Sequence, residues 1–255
     1  MLLKGKVAIV TGGSYGIGRG IAQVFAENGV DGLVCCARGM DRLQDTHDII
    51  LESTGVKTVM QACDVSKRED VERLKDETLK RFGRIDIIVN NAGVQRFSPI
   101  LEMDDKIWDD HFDINVKGTF LCTQIIAREM VKVGRGKIIN ISSDSGHAPM
   151  PGDASAYCAS KAAIISLTRN AAKELGPKGV HCNCICPGAI GDTAMMDYYQ
   201  EYTHGEGVQG VIDAAALKRM GTPRDIGNAA LFLASEMSDF ITGEQILVTG
   251  GDLMC

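Results

Sequence analysis

Seven short apolar runs rich in Val and Ile recur along this chain of 255 residues, and longer stretches of helical period lie between them. The runs cover 7–10, 33–37, 58–62, 85–89, 137–141, 180–185 and 245–248, and are apolar at nearly every position rather than at alternate ones. Strands covered on both faces need that pattern. Of the helical stretches, 17–28 ends at Gly29, 41–53 before Gly55, 67–82 at Gly83, 108–133 before Gly134 and 155–175 at Gly176-Pro177, while 225–234 follows Thr222-Pro223. Glycine just past a helix and proline at its start are stop and start signals. Repeated strand–helix–strand units cross over right-handedly, so the expected fold is α/β: a doubly wound parallel sheet of about seven strands with helices on both faces. Ligands of such sheets bind at the carboxyl ends of the strands.

No linker, charge block or internal repeat divides the chain, which predicts one domain over 1–255. Its 27 basic and 33 acidic residues leave a net charge of −6. A protein that holds nucleic acid or adheres to an anionic membrane needs the opposite balance, so neither partner is expected. No apolar run approaches the roughly 18 residues of a membrane span. The opening MLLKGKVAIVTGG ends in a turn without a small-residue cleavage site, and reads as a first strand. Nine cysteines, an odd number, include neighbours at Cys35-Cys36 and a Cys182/Cys184/Cys186 series. Alternation puts the series on one strand face, as expected for reduced packing residues in a cytoplasmic protein. His111, His147, His181 and His204 do not combine with the cysteines into metal-ligand spacing, so no metal is expected.

The strand ends carry the chemistry. Thr11-Gly12-Gly13-Ser14-Tyr15-Gly16-Ile17-Gly18 follows the first strand and opens a helix. Free N–H groups and the positive dipole end of a helix attract phosphate, and glycines let the backbone approach it. The second strand ends Cys35-Cys36-Ala37-Arg38. NAD sites place an acid there for the ribose 2′-hydroxyl, whereas NADP sites supply arginine. Ala37 stands where the acid would be and Arg38 follows, so NADP(H) is expected, with NAD(H) as the alternative. Tyr15 occupies a loop position where a second cation would have helped. Asn90-Asn91-Ala92-Gly93 follows the fourth strand and Ser142-Ser143 the fifth.

Tyr157 and Lys161, four residues apart, share a helix face. A phenol of ordinary pKa about 10 is a poor base, but a nearby ammonium lowers that value, and an oxidised nicotinamide would lower it further. Tyr157 is therefore a candidate general acid/base for a hydroxyl/carbonyl pair.

Taken together these motifs resemble the short-chain dehydrogenase/reductase family, of the single-domain type near 250 residues with a Rossmann-like sheet. The match runs from the glycine turn to Pro187-Gly188 and beyond. The resemblance implies that Tyr157 exchanges a proton with the substrate oxygen, that Ser143 hydrogen-bonds that oxygen, that Lys161 holds the nicotinamide ribose, and that Asn115 completes a relay to Lys161 through a water. It implies direct hydride transfer without a metal. Cofactor contacts would come from Gly12, Ser14, Tyr15, Gly16, Ile17, Gly18 and Arg38, from Asp64 and Val65 on the adenine side, and from Asn90, Ala92 and Gly93. Pro187, Gly188, Ile190 and Thr193 would lie near the nicotinamide. Two departures stand out. Asp192 occupies the place where the family often has threonine, with Thr193 one later, and Ser143 lies one residue farther from Tyr157 than usual. The loop 146–153 would absorb the second difference and line the substrate pocket.

The same resemblance implies a mobile substrate lid over 189–216 and a homotetramer. Helices 108–133 and 155–175 would form one interface, and the last strand with residues 250–255 the other. Expected partners are thus a small alcohol or ketone and further copies of the chain. Sugars and polyols, hydroxysteroids, 3-ketoacyl thioesters and small ketones all suit such a scaffold. An NAD(H)-dependent polyol, sugar or hydroxysteroid dehydrogenase is one competing reading, and a cofactor-binding sensor or scaffold is another. The sequence leaves open whether Met195, Met196, Tyr198 and Tyr199 touch substrate or pack on the lid, and whether His147 faces the pocket.

Overall fold

The computed structural model describes residues 1–150 and 152–254; Pro151 of the 146–153 loop and Cys255, the ninth cysteine, lie outside the described residues. In chain order the elements are β1 (Val7–Thr11), α1 (Gly16–Glu27), β2 (Gly32–Ala37), α2 (Asp41–Thr54), β3 (Val59–Ala62), α3 (Arg68–Phe82), β4 (Ile87–Asn90), α4 (Asp105–His111), α5 (Gly118–Lys132), β5 (Gly136–Ile141), α6 (Ser155–Leu175), β6 (Val180–Pro187), α7 (Ala194–Tyr202), α8 (Gly207–Ala214), α9 (Pro223–Ala234) and β7 (Gln245–Val248). All seven expected strands form, in one sheet of order β3-β2-β1-β4-β5-β6-β7 with every pairing parallel. The fold is Rossmann-like. The strand order reverses between β1 and β4, which opens the crevice where such sheets take their ligands.

Burial explains why the strands are apolar throughout. Ala8, Val10, Leu33, Cys35, Ile87, Val89, Ile139 and Ile141 pack with Ile21 and Phe25 of α1, Ile50 of α2 and Leu233 of α9. The alternate residues Ile9, Val34, Cys36, Ile88 and Ile138 pack with Leu74 of α3 and Leu121, Ile125 and Met130 of α5. The cysteine series lies on one face of β6: Cys184 and Cys186 meet Ile164 and Ile165 of α6, and Cys182 joins the α5 side. All eight described cysteines are free.

One expected helix is three elements. The stretch 108–133 contains the end of α4, a π-helical turn over Phe112–Lys117, and α5. The π-turn inserts an extra residue without breaking the helix and turns Asn115 fully inward. Two further boundaries moved for local reasons. The fourth strand begins at Ile87 because Asp86 is spent on accepting from Val7 N, 2.9 Å away, and on pairing with Arg84. The last helix begins at Pro223, under a capping box between Thr222 and Asp225. Among the described residues no helix is long and apolar enough to cross a membrane.

Candidate active site

The glycine turn folds as a phosphate cradle. Tyr15, in extended conformation, precedes α1 without a side-chain cap, and the first turn of α1 carries no acidic residue. Its N–H groups are therefore left for an anion. Gly16 has φ +58°, and a Cβ there would lie 3.1 Å from Thr193 Cγ2. A Cβ on Gly18 would run into the Gly12 carbonyl oxygen and stand 2.6 Å from Asn91 Nδ2. Side chains at either position would close the approach, so the turn fits a dinucleotide's phosphates. The loop is held from below. Ser14 O accepts from Arg19 Nη2 at 2.8 Å and from Thr46 Oγ1 at 3.0 Å.

At the end of β2, Arg38 is exposed. Two cations that the sequence reading missed stand at the glycine turn. The Arg42 and Arg19 guanidinium groups lie 5.2 and 5.3 Å from the centroid of the Tyr15 ring. Tyr15 thus gathers positive charge where a second cation was wanted. Arg19 is committed to the loop and lies 4.0 Å from Asp45. On the neighbouring loop, Asp64 Oδ1 accepts from Ser66 N and Ser66 Oγ at 3.1 and 2.7 Å, and Val65 is buried against Gly118.

The paired asparagines after β4 have separate tasks. Asn90 is buried, and its Nδ2 donates to Thr123 Oγ1 at 3.1 Å and Asn140 Oδ1 at 2.8 Å, so its side chain braces the sheet against α5. Asn91, unassigned from sequence, donates from Nδ2 to Thr11 O at 2.9 Å and Gly12 O at 3.2 Å and lines the cleft. Ala92 and Gly93 follow; a Cβ on Gly93 would be 3.1 Å from Asn115 Oδ1. Asn115 clamps the next residue, accepting from Val94 N at 2.8 Å and donating to Val94 O at 3.0 Å and to Ser160 Oγ at 3.0 Å. It ties the β4 loop to α6.

Ser143, Tyr157 and Lys161 meet in a cleft of about 620 Å³ at the carboxyl edge of the sheet. Ser142 Oγ donates to Lys161 O at 2.7 Å and anchors α6, which leaves Ser143 to the cleft. Ser143 Oγ donates to Asp144 Oδ1 at 2.8 Å and accepts from Ser145 N at 3.1 Å. Tyr157 and Lys161 are 6% and 3% exposed. Lys161 Nζ donates to Ile141 O at 3.0 Å. The lowering of the Tyr157 pKa expected from Lys161 is not found. Burial raises it well above 10, and the facing Ser143 hydroxyl offsets only part of the rise. The ammonium lies over the ring face, 5.5 Å from its centroid, and burial lowers its own pKa to about 8. One dry environment disfavours both charges.

The far wall belongs to 146–153, 189–216 and the carboxyl-terminal segment. Ala148, Pro149 and Met150 line the cleft as expected of their loop, and His147 is exposed. Met195, Met196 and Tyr199 line it too; Tyr198 and Tyr202 instead stack on Phe97, with ring centroids 5.4 and 4.5 Å away. Asp192 takes φ +53° and carries the extra residue. Thr193 then caps α7, accepting from Met196 N at 3.1 Å and donating to Ile190 O at 3.0 Å. Pro187, Gly188, Ile190 and Thr193 all line the cleft. The sequence reading assigned no role to Asp144 or Gln95 and gave Asp252 and Leu253 to a subunit interface; all four line the cleft as well.

The family model described as "Enoyl-(Acyl carrier protein) reductase", a short-chain alcohol dehydrogenase type, matches residues 12–252. The chain belongs to the short-chain dehydrogenase/reductase family. A short-chain type dehydrogenase/reductase from Mycobacterium marinum superimposes with a TM-score of 0.89 at 36% identity, covering 99% of this chain and 97% of that one. The 3-oxoacyl-[acyl-carrier-protein] reductase FabG of Chlamydia muridarum is 40% identical over 253 residues, 98% of each chain. The NAD-dependent glycerol dehydrogenase of Listeria innocua is 35% identical over 246 residues, 96% of this chain and 93% of that one. As a short-chain dehydrogenase/reductase the protein is an oxidoreductase of CH–OH and C=O groups.

Proposed function

We propose that the protein interconverts a ketone and its secondary alcohol with NADP(H), and that Tyr157 is the general acid/base. The convergence of Ser143, Tyr157 and Lys161 below the glycine cradle carries this reading. The bound nicotinamide supplies or accepts the hydride. Tyr157 gives its proton to the substrate oxygen in reduction and takes it back in oxidation, while Ser143 fixes that oxygen by hydrogen bonding. Lys161 holds the nicotinamide ribose, and Asn115, through a water, completes a relay to it. Phosphates sit on the N-terminus of α1 among Gly12, Ser14, Tyr15, Gly16, Ile17 and Gly18. Asp64 and Val65 face adenine, and Asn90, Ala92 and Gly93 lie along the cleft. Pro187, Gly188, Ile190 and Thr193 flank the nicotinamide.

The preference for NADP(H) rests on Ala37 in place of an acid, on Arg38 at the end of β2 and on Arg42 beside Tyr15. Two arginines suit a 2′-phosphate better than a 2′-hydroxyl. The glycerol dehydrogenase of Listeria innocua, named as NAD-dependent, keeps NAD(H) as the second reading. Residues 1–255 act as one domain with 189–216 as its lid. Free thiols suit a reducing cytoplasm. Trp108 and Phe120, which are 43% and 40% exposed, suit the expected tetramer interface.

Replacing Tyr157 by Phe abolishes turnover by at least about 10²-fold with cofactor binding retained, as read by cofactor fluorescence. Arg38→Ala and Arg42→Ala each raise the Kd for NADPH about tenfold or more and leave NADH unchanged. Retained turnover in the first variant, or an NADPH affinity indifferent to both arginines, refutes the respective part.

A further inference from the structure

We infer that the substrate of this cleft is uncharged: an alcohol or ketone that carries no carboxylate, phosphate or anionic carrier. The inference rests on the oxidoreductase reading above and adds the charge class of its substrate.

Three charged side chains line the cleft: Asp144, Lys161 and Asp252. Lys161 is the residue given above to the nicotinamide ribose. It is buried, bonded to Ile141 O at 3.0 Å, and lies over the face of the Tyr157 ring. The substrate side is left with two carboxylates. Asp144 is adjacent to Ser143, and its Oδ1 takes Ser143 Oγ at 2.8 Å, Ser145 N at 2.6 Å and Ser145 Oγ at 3.2 Å. Its Oδ2 makes none of these bonds and stands 3.2 Å from the place of a Cβ on Gly188, another cleft residue. Burial raises the Asp144 pKa and the Asp252 charge adds to the rise, so the two carboxylates act on one another.

The segment that supplies Met195, Met196 and Tyr199 to the lining carries further charge of the same sign, outside the lining itself. From residue 179 to residue 217 the chain has no Lys or Arg, but it has Asp192, Asp197, Glu201, Glu206 and Asp213, all exposed. None of the nearest basic residues lines the cleft. Lys218 Nζ donates to Asp213 O at 2.6 Å, Arg219 pairs with Asp225 at 2.9 Å, and the exposed Arg96 lies 6.0 Å from the Tyr198 ring centroid while donating to Gln95 O. Much of the remaining lining is apolar, with Met150, Met195, Met196, Val211 and Leu253.

An anion entering this end would give up its hydration and meet two carboxylates, with no cation in the lining except the buried Lys161. A neutral substrate meets methionine and valine, and any hydroxyl on it finds an acceptor in Asp144 or Asp252. The cleft is thereby divided. Arg38, Arg42 and the helix N-terminus attract anions at the β1–β2 end, and the Ser143 end repels them.

Matched ligands test this. Ethyl acetoacetate against acetoacetate, and the acetoacetyl thioester of N-acetylcysteamine against that of coenzyme A, are titrated into NADP⁺-saturated protein by calorimetry, and their reduction by NADPH is followed in parallel. The neutral member of each pair binds at least tenfold more tightly at low salt. Replacing Asp252 by Asn, or raising salt to about 0.5 M, narrows that gap several-fold. Equal or tighter binding of either anion, no binding by either neutral ligand, or a gap unmoved by both Asp252→Asn and salt overturns the inference. Turnover of a bound ketone that is unaffected by Tyr157→Phe overturns the catalytic reading instead, while the binding ratio still decides the charge class.

Discussion

Lys161→Met has an outcome whose sign depends on pH. The drop of the Lys161 pKa from 10.5 to about 8 corresponds to about 3.4 kcal/mol by which the folded state disfavours the ammonium relative to the unfolded chain. The penalty is present in full below pH 8, where both states are protonated. It falls to about 1 kcal/mol at pH 10 and vanishes above the unfolded value of 10.5, because the folded protein sheds the proton first. Methionine keeps the unbranched shape and loses the bond from Nζ to Ile141 O, worth about 1 kcal/mol. In the cofactor-free protein the variant is therefore more stable at pH 6.5 by about 2 kcal/mol, or about 4–8 °C in Tm for a chain of this size. At pH 10 the advantage is gone. Urea unfolding and calorimetry at the two pH values read the difference, and turnover is lost at both. A variant destabilised at pH 6.5, or shifted equally at pH 6.5 and pH 10, would refute the claim that burial of the ammonium is a cost the fold carries for its site.

Two further outcomes concern the frame. Asn140→Leu strips one acceptor from Asn90 Nδ2 and the donor from Thr168 Oγ1, both at 2.8 Å, and leaves each buried partner with one bond fewer, Asn90 Nδ2 keeping Thr123 Oγ1 and Thr168 Oγ1 keeping Ile164 O; urea unfolding should show a loss of about 1–3 kcal/mol. Asp225→Asn weakens the α9 cap and its pair with Arg219. The folded Asp225 carboxyl has its pKa lowered from 3.8 to about 2, so its contribution is complete above the unfolded value and is lost as pH falls through the folded one. The Tm difference from wild type, measured from pH 7 down to pH 2, shrinks to a small remainder at the acid end.

The sheet was legible because one rule governed it. A strand buried on both faces has to be apolar at nearly every position, and the seven runs gave seven strands, although the edge strands β3 and β7 are at most half-buried. Where two rules compete, the pattern fails. The apolar spacing of 108–133 continues through the π-turn at Phe112–Lys117, and no glycine or proline interrupts the turn to announce it. Nothing local separates a π-turn from the helix around it; the inserted residue shows only when Asn115 is found clamped on Val94. The separate roles of Asn90 and Asn91 were not read from the motif either, although strand alternation implies them once the facing of one residue is known. Ile88 faces α5, so period-two alternation sends Asn90 to the same side and frees Asn91 for the glycine turn.

The electrostatics of the site were not readable from spacing. Tyr157 and Lys161 at i and i+4 do share a face, but spacing says nothing of the dielectric around them. In water the pair would lower the phenol's pKa. Inside the fold, with side chains 6% and 3% exposed, desolvation dominates and drives the two pKa values apart, the phenol upward and the amine downward, so that both groups favour the neutral form. Asp144 was missed for a related reason. Within Ser142-Ser143-Asp144-Ser145-Gly146 it reads as an ordinary polar turn residue, and only burial beside Asp252 makes its charge matter. Residue types and their order along the strands locate this site, but its charge states belong to the packed structure. A shift of one residue in the loop after β5 would leave every motif intact and alter which carboxylate, if any, faces the substrate.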